Sequence, residues 1–223
     1  MKQIIPNVYY ITGLPAGRVY VLKDDDGLTL IDASVPGMAG KILADIASIG
    51  HTARDVKRIL ITHAHPDHVG SLPGLKQSTG AQVISSAIDR PVVEGRMSIA
   101  RRPSGLRPPN TMMRGTPVDR EVGDGDTIDA FGGLQVLLTP GHSPGHLTFW
   151  QPEKRLAIIG DVLFHVLGVR LPPGFLTVDM EEDKRSVRKV ANLNPDIVCF
   201  GHGDPITQNT AQVLNDFARK LDV

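Results

Sequence analysis

The sequence is poor in cysteine, in net charge and in long apolar runs. A single cysteine, Cys199, among 223 residues excludes a framework of internal disulfides and favours a reducing compartment. Lysine plus arginine and aspartate plus glutamate each number 24, so no overall field favours nucleic acid or an anionic membrane as a partner. No apolar stretch approaches the length of a membrane span, and the first residues lack the apolar core of a secretory signal. We therefore expect a cytoplasmic protein.

The pattern of apolar residues predicts an α/β fold in which strands and helices alternate in both halves of the chain. Such a pattern favours two mixed β-sheets packed face to face with helices on the outer faces, an αββα four-layer sandwich. The length suits a single domain over residues 1–223. Strands are predicted at 8–12, 18–22, 28–31, 59–62, 81–85, 134–138, 147–150, 156–159 and 197–200, and helices at 39–49, 72–78, 181–192 and 210–221.

One segment, residues 87–120, departs from this pattern. It contains five prolines, three of the six methionines, and seven arginines against three acidic residues. A long irregular insertion in a compact domain is typical of a lid or a binding loop, and a solvated connector is the other interpretation. Its positive charge favours an anionic small-molecule substrate. The same arginines and methionines suit contact with a second copy of the chain, as in a homodimer.

The richest chemistry in the chain lies in residues 62–71, which read T-H-A-H-P-D-H-V-G-S. The segment follows a short apolar strand, so we expect it to form the turn that leaves that strand. Alternation places His63 and His65 on one side, and the turn is expected to point Asp67 and His68 elsewhere. Imidazole and carboxylate groups are the ligands of catalytic zinc, and this geometry favours two adjacent ions over one.

Three further strands end in residues of the same kind. His142 and His202 each lie on a turn that contains glycine, and Asp161 directly follows an apolar strand. Glycine at these positions lets the backbone approach closely. Because four strand ends carry zinc-type ligands, a common metal site explains them better than chance does.

The ordered pattern H-x-H-x-D-H, G-H, D, G-H resembles that of the metallo-β-lactamase superfamily of hydrolases, over nearly the whole chain. The resemblance implies the αββα fold and a site for two zinc ions at the edge between the sheets. It also implies a ligand set for each ion and a bridging residue. These are His63, His65 and His142 for one ion, Asp67, His68 and His202 for the other, and Asp161 between them.

The implied chemistry is hydrolysis by a hydroxide shared between two ions about 3.5–4 Å apart. Asp67 is the candidate catalytic residue, because a carboxylate beside the second ion can orient the nucleophile or carry its proton. Three more residues are candidates for supporting the ligands or contacting the substrate: His146, His165 and Asp32.

The branch that the chain resembles is glyoxalase II-like or lactonase-like, in a short single-domain form, so the expected substrate is a thioester or a lactone. The lactonase interpretation is weakened because Phe164 lies where those enzymes have a tyrosine. A mononuclear iron oxygenase resembling the persulfide dioxygenases is an alternative, with His63, His142 and Asp161 as ligands. A β-lactamase or phosphodiesterase activity on the same site is another, and iron or manganese could replace zinc.

Overall fold

The computed structural model describes residues 1–105 and 114–221, and these residues divide into two units. The N-terminal unit comprises residues 1–99 and 114–122, and the C-terminal unit comprises residues 100–105 and 123–221. The expectation of a single domain stays a prediction. Among the described residues, no helix combines the length and apolar character needed to cross a bilayer.

The N-terminal unit is built on a seven-stranded mixed sheet whose strands follow one another in chain order. The first four strands pair antiparallel, and the last four pair parallel through helical connections. Its elements are β1 (Lys2–Ile5), β2 (Val8–Tyr10), β3 (Tyr20–Asp24), β4 (Gly27–Ile31), α1 (Ala39–Ser48), β5 (Val56–Leu60), α2 (Pro66–Val69), α3 (Leu72–Thr79), β6 (Gln82–Ser86), α4 (Arg90–Val93) and β7 (Arg120–Val122).

Local sequence explains the hairpin and the core of this unit. Gly27 lies opposite Asp24 in the β3–β4 register and has a φ of 140°, which an L side chain rarely adopts. Leu30 and Ile59 lie in the adjacent strands β4 and β5 and are fully buried, as is Ile42 of α1. Burying side chains of this size contributes about 1.5–3 kcal/mol each relative to leaving them exposed.

The C-terminal unit contains a five-stranded mixed sheet and a separate two-stranded hairpin. Its elements are β8 (Thr127–Ile128), β9 (Leu134–Leu138), β10 (Leu147–Gln151), β11 (Leu156–Ile158), β12 (Phe164–His165), β13 (Val169–Arg170), α5 (Met180–Ala191), β14 (Ile197–Cys199) and α6 (Thr210–Lys220). The sheet has the strand order β14-β11-β10-β9-β8, and β12 and β13 form the hairpin. Only the β11–β14 pair is parallel among the strand pairs described in this unit.

Helices α5 and α6 supply much of the C-terminal core. Val187 and Val190 of α5 pack with Leu214 and Ala218 of α6 in one buried cluster. Their spacing of three or four residues places each pair on one helix face. Asp179 caps α5, because its side chain accepts a hydrogen bond of 2.9 Å from the backbone amide of Glu182.

The two mixed sheets with helices confirm the predicted α/β class. All predicted strands and helices occur, with ends shifted by up to three residues. The structure adds β1, β7, β8, α2, α4 and the β12–β13 hairpin, which the sequence pattern did not predict. These elements are two to four residues long, too short for a periodic signal.

The 87–120 segment is only partly irregular. It contains α4, and Val93 and Val118 are buried in the core of the N-terminal unit. Part of the segment, including Met112 and Met113, lies outside the described residues. Its role as a lid stays a prediction.

The cap of α5 generates a stability prediction. Asp179→Ala is expected to lower the free energy of unfolding by about 1 kcal/mol, because the Glu182 amide loses its acceptor. Asp179→Asn keeps an acceptor and should lie close to the wild type. Urea unfolding measures both, with Glu181→Ala as a control in the same helix turn. Equal stability of the alanine and asparagine variants would contradict the cap.

Candidate metal centre

The histidine turn of the N-terminal unit closes into a short helix. His65 has an extended conformation, Pro66 occupies the first helical position, and α2 follows with Asp67 and His68. Proline is suited to this position because its φ is already helical and the missing N–H would be unpaired there. The backbone amides of His68 and Val69 both donate to the carbonyl of His65, at 2.9 and 3.0 Å. The segment therefore contains a short helix that the sequence pattern did not predict.

The three imidazole rings of this turn lie against one another. The His63 ring centroid is 4.5 Å from that of His65 and 4.1 Å from that of His68, and all three side chains are buried. The α2 turn also brings the His68 ring against the His63 ring. Asp67 is 28% exposed, and its carboxylate lies 3.8 Å from His68 Nε2.

A buried carboxylate, that of Asp32, orients two of these rings. It accepts hydrogen bonds of 2.8 Å from the Thr62 amide, the Thr62 hydroxyl and His68 Nδ1. Since Thr62 Oγ1 donates to Asp32, it accepts from His63 Nδ1 at 3.1 Å. Both rings therefore carry their proton on Nδ1, which leaves Nε2 as the nitrogen that can accept a metal ion.

Asp32 has an unusual backbone conformation and a shifted pKa. Its φ of 65° lies in the left-handed region that aspartate tolerates better than most residues. Burial raises the pKa of Asp32 from its ordinary value, and the His68 imidazole opposes that shift. Asp32, predicted as a supporting residue, thus contacts a predicted ligand.

Sequence reasoning missed a second orienting carboxylate, that of Asp89. Its Oδ2 accepts a hydrogen bond of 2.8 Å from the amide of Ala64, the residue between His63 and His65. Asp89 is 5% exposed and lies at the start of the 87–120 segment. No local pattern links residues 25 positions apart, so the sequence alone carried no signal for this contact.

In the C-terminal unit, Asp161 lies between two histidines. Its Oδ2 is 3.3 Å from His142 Nε2 and 3.3 Å from His202 Nε2. Asp161 and His142 are buried, and His202 is 23% exposed. These three predicted ligands come together although they follow three different strands.

His146 supports Asp161 through the backbone. The Asp161 amide donates to His146 Nε2 at 3.0 Å, so the ring carries its proton on Nδ1 and donates to Thr139 Oγ1 at 3.0 Å. Thr139 is also 3.0 Å from the hydroxyl of Thr148. His146 thus contacts a predicted ligand, and its role in supporting the site stays a prediction.

Helix α5 holds the turn that carries His142. A Cβ on Gly141, which has a φ of 134°, would lie 2.2 Å from the Asp183 backbone nitrogen, so only glycine allows this approach. The Asp179 amide donates to the Gly141 carbonyl at 2.9 Å, and Ser186 Oγ donates to the Pro140 carbonyl at 2.6 Å. The turn is thereby fixed against α5.

Asp183 is a buried carboxyl group that sequence reasoning also missed. It is fully buried, and neither oxygen makes a hydrogen bond of normal geometry to the described residues. Burial raises the pKa of Asp183 to about 8; the His142 amide opposes the shift and the Asp161 charge adds to it. Asp183 shares the buried face of α5 with Val187 and Val190, so helical periodicity could have indicated its burial.

The β12–β13 hairpin lies beside His202. The Phe164 ring centroid is 4.4 Å from that of His202 and 6.4 Å from that of His142. His165 Nδ1 lies 2.7 Å from the Asp204 carbonyl, to which it donates, and the His165 ring packs on Phe200. This bond makes Nε2 of His165 the acceptor nitrogen. A role of His165 towards substrate stays a prediction.

Comparison with known proteins assigns the family. A family model described as the metallo-beta-lactamase superfamily matches residues 12–202. The chain therefore belongs to this superfamily, and its histidine and aspartate clusters suit metal ions.

Several curated relatives match almost the whole chain. The chain is 30% identical over 220 residues to the hydroxyacylglutathione hydrolase GloC of Haemophilus influenzae, with 96% of each chain covered. It is 26% identical over 241 residues to the probable metallo-hydrolase YflN of Bacillus subtilis, with 97% of this chain and 88% of YflN covered.

Solved structures share the fold. BJP-1, a subclass B3 metallo-beta-lactamase of Bradyrhizobium japonicum, superposes with a TM-score of 0.72 at 26% identity, covering 99% of this chain and 91% of BJP-1. A metallo-beta-lactamase family protein of Thermus thermophilus gives a TM-score of 0.74 at 22% identity, covering 99% of this chain and 81% of that protein. The predicted fold class is confirmed.

The bonds of Asp32 generate a prediction on metal affinity. Asp32→Asn keeps the side-chain shape but offers one oxygen where the carboxylate serves three donors, so the His68 and His63 rings lose their orientation. We expect a loss of about 10–100-fold in zinc affinity. Competition with a chelator measures it, and Asp26→Asn, which changes an exposed carboxylate, is the control. Unchanged affinity would contradict the orienting role.

The raised pKa of Asp183 generates a prediction on pH. Between its ordinary pKa of 3.8 and its folded pKa of about 8, the folded state binds one more proton than the unfolded state. Stability of the metal-free protein should therefore fall as pH rises across this window, by at most about 1.4 kcal/mol per unit. Asp183→Asn should remove this contribution, as urea unfolding at several pH values would show.

An exposed aspartate supplies the control for this measurement. The free energy of unfolding of Asp183→Asn minus that of the wild type should increase with pH. Asp196→Asn, a change of an exposed carboxylate, is the control. A pH-independent difference for Asp183→Asn would show that the carboxyl group ionises normally.

Proposed function

We propose that the protein is a hydrolase that uses two zinc ions to cleave a small ester-like substrate, a thioester or a lactone. The observation that carries the proposal is the chemistry of the donors, because imidazole and carboxylate groups occur together in the histidine turn and around Asp161. The match to GloC over 96% of both chains supports it. A cytoplasmic location and a small-molecule substrate belong to the same proposal.

The ligand assignment combines the donors of both units. All seven residues lie within the matched region 12–202 and follow the order of the superfamily pattern. By that pattern, three of these residues would hold one ion, three would hold the other, and one would serve both. These are His63, His65 and His142; Asp67, His68 and His202; and Asp161 shared.

The rings fit zinc because protein groups hold the nitrogen on their far side. Thr62 accepts from His63 Nδ1 and Asp32 accepts from His68 Nδ1. Thr177 Oγ1 lies 3.5 Å from His142 Nδ1 and donates its own proton to the Pro173 carbonyl. Three rings are thus prepared to bind through Nε2, and the ring orientation needs no rearrangement.

Zinc at such a site supplies an activated water near neutral pH and polarises the substrate carbonyl. In hydrolysis, the water oxygen bonds to the acyl carbon and the bond to the leaving sulfur or oxygen breaks. Asp67 takes the proton of the water and passes it to the leaving group, which departs as a thiol or alcohol. Asp67 suits this role because it is 28% exposed beside the buried His68.

The relatives favour a thioester over a lactone. A hydroxyacylglutathione, the substrate in the name of GloC, is a thioester of glutathione. The aromatic ring of Phe164 beside His202 and His142 provides an apolar wall that suits an acyl group. The Phe164 ring has no hydrogen-bond donor that could stabilise the alkoxide leaving group of a lactone. The thiolate leaving group of a thioester does not require such a donor.

Metal reconstitution with a substrate panel tests the proposal. Two zinc ions per chain and hydrolysis of S-lactoylglutathione or a simpler thioester are expected. Asp161→Ala should lose metal and activity together, by at least about 100-fold, because it removes a donor that lies 3.3 Å from each of two histidines. Asp196→Ala, a change of an exposed carboxylate, is the control and should keep both.

Other outcomes would replace the proposal. One iron per chain with oxygen uptake on a thiol substrate identifies the oxygenase alternative. Turnover of a β-lactam or a phosphodiester without a thioester changes the substrate class. Full turnover by Asp161→Ala removes Asp161 from the ligand set.

A further inference from the structure

An open cavity of about 540 Å³ lies within the N-terminal unit. Its volume is in the range that holds small-molecule ligands. None of the seven predicted metal ligands is among the described residues that form its wall. The lining residues are Pro36, Gly37, Ala39, Gly70, Ser71, Pro73, Gly74, Gln77 and Arg114.

The wall of the cavity is mostly backbone and small side chains. A Cβ on Gly37 would meet nothing within 4 Å, whereas one on Gly74 would meet the Ala39 side chain at 3.0 Å. Such a wall lets a ligand approach the main chain closely. Selectivity must then come from the two long polar side chains of the lining, Gln77 and Arg114.

The cavity is positively charged. Arg114 is the one charged residue among the described lining residues, so no carboxylate of that wall balances it. The first turns of α1 and α3, which contribute Ala39, Pro73 and Gly74, also contain no acidic residue. Guanidinium binds carboxylate with two parallel hydrogen bonds, and carboxamide adds a further donor.

The cavity adjoins the histidine turn. Gly70 and Ser71 of its wall follow His68 by two and three residues. Ser71 Oγ accepts from the Met38 amide at 2.7 Å and donates to the Val35 carbonyl, so the 35–38 loop is fixed to the end of α2. A Cβ on Gly70 would lie 2.4 Å from Pro36, which shows how closely this loop packs.

We propose that this cavity binds a carboxylate carried by the substrate, with Arg114 as the anchoring charge and Gln77 as a second donor. The inference rests on the proposed hydrolase function and narrows its substrate class to anionic esters or thioesters. It also gives a physical role to Arg114, one of the arginines of the 87–120 segment.

A matched pair of substrates tests the subsite. S-acetylthioglycolate and its primary amide share one thioester and differ by the carboxylate. The wild type should favour the acid in kcat/KM by about 10-fold, the order of one charge-assisted bidentate contact. Arg114→Gln should raise KM for the acid about 10-fold with kcat unchanged, and should leave the amide unaffected. Gln77→Ala should give a smaller loss of the same kind.

A second arginine provides the control. Arg101 is an exposed arginine of the same segment that lies outside the cavity wall, so Arg101→Gln should behave as the wild type. If the ratio of kcat/KM for the acid to kcat/KM for the amide is the same in Arg114→Gln and wild type, the proposed subsite is overturned.

Direct binding separates failure of the subsite from failure of the hydrolase proposal. Glutarate added to the isotopically labelled protein should shift the amide resonances of Gly70 and Gly74 in the wild type but not in Arg114→Gln. This result would support the subsite even if neither thioester is hydrolysed, in which case the hydrolase proposal alone fails. Absence of shifts in the wild type, or equal shifts in Arg114→Gln, would overturn the subsite.

Discussion

The arrangement of the histidine turn depends on one buried carboxylate that serves three donors. Asp32 directly follows β4, its amide donates to the Leu60 carbonyl at the end of β5, and its side chain binds Thr62 and His68. Two parallel strand ends and α2 are thereby held by a single side chain. Burial raises the pKa of Asp32, because removing the charged carboxylate from water costs free energy. The three hydrogen bonds offset this desolvation cost.

In the C-terminal unit, the predicted donors are also held in place, but by a histidine and a helix contact and not by a buried carboxylate. There the supporting group is His146, which holds the backbone of Asp161 and leaves the carboxylate to face His142 and His202. Rigidity comes from the close contact between Gly141 and α5. In both units, the predicted metal donors are held by partners on neighbouring strand ends or on a packed helix, which is the condition for a preorganised site.

Much of the fold and most of the candidate donors could be predicted because they have local signals. Apolar runs predicted strands such as β9 and β14, and the glycine-containing turns after these two strands indicated His142 and His202. The signal fails where tertiary contacts decide. Nothing near His68 indicates that α2 turns its ring towards His63, and the contact of Asp89 with Ala64 joins distant parts of the chain.

The contact of Asp89 also defines how the 87–120 segment can be exchanged. Its first turn is part of the support of the histidine turn, while Arg114 near its far end lines the neighbouring cavity. The start of the segment is therefore fixed through Asp89, and Val93 and Val118 fix further parts of it in the core of the N-terminal unit. A chimaera that takes a relative's segment from beyond Asp89 keeps the hydrogen bond to the Ala64 amide, whereas one joined before Asp89 replaces the residue that makes it.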